Sequence, residues 1–149
     1  MDGEVVRKSV KVVNNNGLSD IYDTCADLIA GVFIDQSRFD PLHHAETEQN
    51  LYGQIPAALA ALRDSELTDL EIQFRDKRYQ ARIFRNSLLQ RLKNHYEKIY
   101  RELAGAPVSL VTDRLQALPG FVDAERCLRE IRDFCVLRET QHVRRPIVI

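Results

Sequence analysis

The sequence has 149 residues, of which 44% are hydrophobic and 29% are charged, and its formal net charge is −1. This composition predicts one soluble globular domain over residues 1–149. The length allows a substantial core, and no stretch approaches the roughly 18 consecutive apolar residues of a membrane span. The first residues lack the basic start and apolar run of a signal peptide, so we expect a cytoplasmic protein without membrane contact.

The charge is divided unevenly along the chain. Residues 14–69 carry ten acidic and two basic side chains, whereas residues 70–104 carry nine basic and four acidic ones. This asymmetry indicates either that the two segments face each other, within the domain or between copies, or that the basic segment binds an acidic partner. We favour the first interpretation.

The chain begins with the patterns of a strand, a turn and a helix. Residues 5–13 are rich in β-branched side chains, and residues 14–17 combine three asparagines with a glycine, which suits a turn. A helix is then expected from Ser19 to about Phe33. Its apolar face is formed by Ile21, Cys25, Leu28, Ile29 and Val32.

Residues 35–66 predict a loop that is followed by one or two helices. Residues 35–42 have no hydrophobic period and contain a proline, which indicates the loop. Residues 45–52 predict a short polar helix. Residues 56–63 predict a separate helix or a kinked continuation, because Pro56 suits the first turn of a helix better than its interior.

Residues 70–84 predict a β-hairpin. Apolar side chains alternate at positions 70, 72 and 74 and again at 79, 81 and 83, which is the period of a strand with one buried face. A two-residue turn at Asp76 and Lys77 pairs Phe74 with Tyr79 and Glu71 with Arg82. A longer loop and an unbroken helix over residues 69–103 are the alternatives.

The remaining chain predicts helices. Leucine, isoleucine and tyrosine recur at helical spacing from position 88 to 103, after an N-cap at Asn86 or Ser87. Residues 107–118 predict a short amphipathic helix, and residues 123–135 predict the last one. We therefore expect an α+β, predominantly helical fold of about five helices, with a small antiparallel sheet built on the 70–84 hairpin.

Few residues carry the pattern of a catalytic or metal site. His43, His44, Glu46 and Glu48 are suitable ligands by type, with His95 or His142 to complete a set, but their spacing matches no metal signature and predicts a solvated loop. There is no Gly-x-Ser-x-Gly and no glycine-rich phosphate loop. Cys25, Cys127 and Cys135 predict reduced core cysteines of an intracellular protein. We expect no enzyme, cofactor or metal, with a small metal-dependent enzyme as a distant alternative.

The function expected from these patterns is that of a protein-interaction or assembly subunit, which is a homo-oligomer or part of a larger complex. The apolar C-terminal residues are expected to pack as an edge strand or against a neighbouring subunit. The alternative is a nucleic-acid-binding regulator, because convergent cations can bind phosphates and Tyr79 could stack a base. The candidate contact residues are Arg75, Lys77, Arg78, Arg82, Arg85, Arg91, Lys98, Arg101, Ile147, Val148 and Ile149.

Overall fold

The structure, a computed structural model, describes residues 12–103, 108–121 and 133–137. Its secondary structure begins with two long helices, continues with a hairpin and a third long helix, and ends with shorter elements. In chain order these are α1 (Leu18–Ser37), α2 (Ala45–Asp64), β1 (Leu67–Phe74), β2 (Lys77–Phe84), α3 (Arg85–Leu103), β3 (Val108–Thr112), α4 (Asp113–Gln116) and β4 (Asp133–Leu137). The described residues thus form an α+β fold.

The hairpin is the sheet on which the helices pack. β1 and β2 are antiparallel, and Leu70, Ile72, Ala81 and Ile83 are buried on their inner face. α1 packs on β2, α2 packs on β1, and α3 packs against α1. Because α1 and α2 cover the same face of the hairpin, one side of it is buried and the other is exposed.

The register predicted for the hairpin is wrong by two residues. The turn consists of Arg75 and Asp76, so that Phe74 pairs with Lys77 and Asp69 pairs with Arg82. A shift of two residues keeps every side chain on its face, because strand side chains alternate with period two. A turn at positions 76 and 77 sets Arg75 opposite Arg78, whereas the observed register sets Gln73 opposite Arg78 and keeps a carboxylate, that of Asp69, opposite Arg82. Arg75 adopts a positive φ of 55°, as the first turn residue of a type II′ hairpin does.

The expectation of about five helices is wrong, and α2 accounts for part of the difference. It is a single helix that contains Pro56, not two helices. Proline removes one backbone hydrogen bond, but the apolar face continues across it at helical spacing. The buried residues of α2 are Thr47, Leu51, Ile55, Ala58, Leu59 and Leu62. Packing of this uninterrupted face against the hairpin holds the helix together.

The second difference lies after α3, where the described residues contain two short strands and one helical turn. Residues 108–112 form β3 and only residues 113–116 are helical, although a helix was expected over 107–118. β3 pairs in parallel with β4, which lies where the last helix was expected to end. β3 is rich in β-branched residues, and β4 contains Phe134 and Val136, which are residue types that favour extended backbone. The strand expected over 5–13 and the residues 123–132 and 146–149 lie mainly or wholly outside the described residues.

Candidate interaction surface

The side of the hairpin that points away from α1 and α2 is exposed at every position. We call it the outer face. It consists of Leu67, Asp69, Glu71, Gln73, Arg78, Gln80, Arg82 and Phe84. Each of these side chains lies next to one from the opposite strand, because residues directly across an antiparallel pair share a face. The outer face is therefore a continuous two-stranded surface of mixed polarity.

Opposite charges pair across the middle of the outer face. Arg82 donates from Nε to Asp69 Oδ1 at 2.8 Å and from Nη2 to Oδ2 at 2.9 Å, a bidentate arrangement. Hydrogen bonding from Arg82 lowers the pKa of Asp69. Glu71 accepts a hydrogen bond from Gln80 Nε2 at 3.0 Å, and its other oxygen lies 3.9 Å from Arg78 Nε. The carboxylates thus lie on β1 and the guanidinium groups on β2.

An apolar pair closes the base of the outer face. Leu67 and Phe84 lie directly opposite each other and are 38% and 49% exposed. Beside Phe84 and the Arg82–Asp69 pair is an open depression of about 450 Å³ that Gln36 also lines. Exposed apolar side chains with a polar rim are a common feature of protein-binding surfaces.

Side chains of the helices bond to part of each edge of the hairpin. Gln36 of α1 accepts a hydrogen bond from the Arg82 backbone N–H at 2.8 Å and donates to the Arg82 carbonyl at 3.3 Å. Ser37 donates its hydroxyl to the Gln80 carbonyl, and Gln54 of α2 donates to the Glu71 carbonyl at 2.9 Å. These backbone groups would otherwise be open to a further strand. No sequence pattern indicates these contacts, because they join residues distant along the chain.

The predicted contact residues do not form one surface. Arg78 and Arg82 lie on the outer face, and Arg75 lies at the turn, with its guanidinium carbon 5.1 Å from the centroid of the Phe74 ring. Lys77 is exposed on the other face, and Arg85 is only partly exposed, where its backbone N–H donates to the Glu66 carbonyl. Positions 147–149 lie outside the described residues. The hairpin arginines and those of α3 therefore lie on different elements.

The other predicted cations line the exposed side of α3. Arg91, Lys98 and Arg101 are exposed and fall within about 80° of the helix circumference at 3.6 residues per turn. We call these three residues the α3 stripe. Within the described part of the chain they have no carboxylate within 4 Å, whereas Lys93 lies 3.8 Å from Glu97.

The aromatic and histidine residues near the hairpin turn are engaged in packing. Tyr79 stacks on Phe39 with ring centroids 4.0 Å apart, and Phe74 stacks on His44 at 4.6 Å. Tyr79 therefore already has a stacking partner where the prediction assigned it a base. Among the described residues, no group of three or more histidine, cysteine or carboxylate side chains has an arrangement that could hold a metal ion.

Two further groups have structural roles in the core. His95 of α3 lies 2.8 Å from Thr24 Oγ1 through Nε2 and 2.9 Å from Asn16 Oδ1 through Nδ1, so it joins α3 to α1 and to the preceding turn. Cys25 is fully buried and is a free thiol, and burial raises its pKa to about 12. A thiol in this environment is a poor nucleophile.

Comparison with known proteins adds no assignment. The sequence matches no model of a protein family, and a search of curated proteins finds no match. None of the described helices is both long enough and apolar enough to cross a membrane.

Proposed function

We propose that this chain is a non-enzymatic protein-interaction domain and that the outer face of the hairpin is its contact surface. The observation that carries the proposal is that this face is exposed in the described part of the chain, whereas the inner face is packed and each edge is bonded in part to helix side chains. The inner face packs on α1 and α2, and Gln36, Ser37 and Gln54 bond to the strand edges. We therefore place the partner of the hairpin on its outer face.

The chemistry of the outer face suits a protein better than a nucleic acid. Its two arginines each lie beside a carboxylate, Arg82 on Asp69 and Arg78 near Glu71, so the four ionisable groups sum to zero charge. A phosphate backbone requires uncompensated cations. Paired charges beside the exposed Leu67–Phe84 pair instead combine the polar and apolar contacts of a protein interface.

Photo-crosslinking in cells tests this proposal. Benzoylphenylalanine replaces Phe84 in one variant and Gln90, an exposed residue of α3, in a matched control. We expect a defined adduct from position 84, little from position 90, and loss of the position-84 adduct when Arg82→Glu is added. Equal adducts from both positions, or no adduct from position 84, would overturn the proposal.

A second candidate, nucleic-acid binding, is favoured by the α3 stripe, whose three cations have no carboxylate within 4 Å among the described residues. If these residues bind phosphates, the affinity for single-stranded RNA or DNA in fluorescence anisotropy should fall with salt with a logarithmic slope of about 2 to 3. Combined Arg91→Glu and Lys98→Glu should abolish binding, while Lys93→Glu should reduce it only slightly. Binding that survives the double change rules out this candidate.

A cytoplasmic, reducing location is part of the same proposal. It is supported by Cys25, which is a free, buried thiol. A fluorescent fusion that is found in the cytoplasm agrees with this location, and one that is found in an oxidising compartment contradicts it.

A further inference from the structure

We propose that the outer face binds the outer face of a second copy of this chain, about a two-fold axis parallel to the strands. This inference rests on the proposed function and names its partner. It is based on how the charges are distributed between β1 and β2, on the position of the apolar pair, and on the unused hydrogen-bonding capacity of Asp69 and Arg82.

The charge distribution of the outer face is complementary to itself. Both carboxylates, Asp69 and Glu71, lie on β1, and both guanidinium groups, those of Arg78 and Arg82, lie on β2. A two-fold axis gives an isologous interface, and an axis parallel to the strands places β1 of one copy over β2 of the other. Each carboxylate-bearing strand then faces a guanidinium-bearing strand.

The same distribution disfavours the other two-fold arrangement. An axis that lies between the sheets but perpendicular to the strands places β1 over β1 and β2 over β2. Carboxylates would then face the strand that carries carboxylates, and arginines the strand that carries arginines. Juxtaposed like charges oppose association. The axis parallel to the strands is therefore the one that the charges select.

Arg82 and Asp69 retain the capacity to bond to a second partner. The Arg82 guanidinium has five N–H donors, and two of them are used on Asp69, which leaves three. Each Asp69 oxygen has accepted one hydrogen bond and has a second lone pair. Two copies can therefore form a ring in which carboxylates and guanidinium groups alternate and the bond within each copy is kept.

The same arrangement also brings the apolar pair, Leu67 and Phe84, against the same pair of the second copy. Because the axis runs along the strands, positions along the hairpin are preserved, and Leu67 lies over the partner's Phe84. Exposed apolar area at the base of both hairpins is then removed from water. The outer face in this way joins an apolar contact at its base to the charged ring beside it.

The size of the outer face predicts a weak dimer. Two strands of eight residues are about 27 Å long and, with side chains, roughly 10 Å wide. This footprint is well below the roughly 800 Å² per partner of a standard stable interface. We therefore expect a reversible dimer whose population rises with protein concentration and falls with salt, because exposed charges are screened.

Sedimentation velocity on full-length chains tests the inference through charge exchange. In a homodimer, Asp69→Arg alone makes all four groups of the ring cations, and Arg82→Asp alone makes all four carboxylates. Each change should therefore lower self-association at least tenfold. An equimolar mixture of the two variants restores complementary charges and should form a heterodimer. The chain that carries both changes should dimerise as the unchanged protein does.

The controls separate this inference from misfolding and from the proposed function. Both substituted side chains are exposed, circular dichroism should show unchanged secondary structure, and Lys93→Glu away from the outer face should dimerise normally. Self-association of either single variant at the original level, or a mixture that stays monomeric, overturns the inference. A monomeric unchanged protein also overturns it. A position-84 adduct with a different protein would then preserve the proposed function, whereas no adduct would end both.

Discussion

The cover on the edge of β2 leads to a prediction at the level of a single amide. Gln36 bonds to both backbone groups of Arg82 through its side-chain amide. We expect Gln36→Ala to lower the free energy of unfolding by about 1 kcal/mol, because a net hydrogen bond contributes about 0.5–1.5 kcal/mol and water replaces part of these exposed contacts. Exchange of the Arg82 amide hydrogen should accelerate roughly fivefold to tenfold, which corresponds to the same energy.

Hydrogen exchange followed by nuclear magnetic resonance measures this effect, with an internal control in the same strand. The Ala81 amide points toward β1, where alternation in an antiparallel pair bonds it to Leu70, so its exchange should be almost unchanged. Gln36→Glu keeps an acceptor for the Arg82 N–H and should preserve most of its protection. If the Arg82 amide exchanges equally fast in the unchanged protein and in Gln36→Ala, the edge cover does not exist in solution.

Three further predictions concern α1 and α2. Because burial raises the Cys25 pKa to about 12, iodoacetamide should modify Cys25, identified by peptide mass spectrometry, only under denaturing conditions. Arg38 ends α1 with a φ of 54°, so Arg38→Gly should raise the free energy of urea unfolding by about 1 kcal/mol, and no gain would contradict this cap geometry. The hydrogen bond from Tyr52 to Asp23 raises the Tyr52 pKa from 10.0 to about 12. This bond should therefore stabilise the fold up to about pH 10 and lose its contribution as the pH rises toward 12. In Tyr52→Phe this loss of stability between pH 10 and 12 should be absent.

The sequence predicts which side of each hairpin residue is buried, but not which residues pair. Alternation assigns Leu70, Ile72, Ala81 and Ile83 to the inner face, and all four are buried there. Two registers that differ by two residues satisfy this alternation equally well. The choice between them depends on the turn and on cross-strand contacts, such as the Asp69–Arg82 pair, that each register creates.

Helix and strand are harder to separate where apolar runs are short. β3, at residues 108–112, is only five residues long, and its apolar positions also fit one face of a helix. Parallel pairing with β4 decides for the strand, and the sequence does not reveal that long-range partner. In α2, by contrast, Pro56 left a separate helix and a continuation both possible, and the continuous apolar face decides for the continuation.

The candidate site could be predicted from the sequence only in part, because its contacts depend on residues that are distant along the chain. Arg78 and Arg82 were recognised as exposed cations, but their carboxylate neighbours follow from the register. No sequence pattern indicates that Leu67 and Phe84 are exposed, because apolar residues are common both in the core and on the surface. Gln36 and Gln54 bond to the strand edges through contacts between distant parts of the chain. A polar residue on a helix does not indicate such a contact in the sequence.

The charge division along the sequence remains visible on the folded surface, and this determines how association must be tested. Asp23, Asp27 and Glu48 lie around Tyr52 on α1 and α2, whereas the α3 stripe is exposed on another helix. The two segments meet as an ion pair across the hairpin, at Asp69 and Arg82. Surfaces of opposite sign on one chain attract a second copy at low salt in many orientations. Salt sensitivity alone therefore does not identify the outer face, whereas recovery of a heterodimer from two charge-reversed variants does, because it depends on which strand carries each charge.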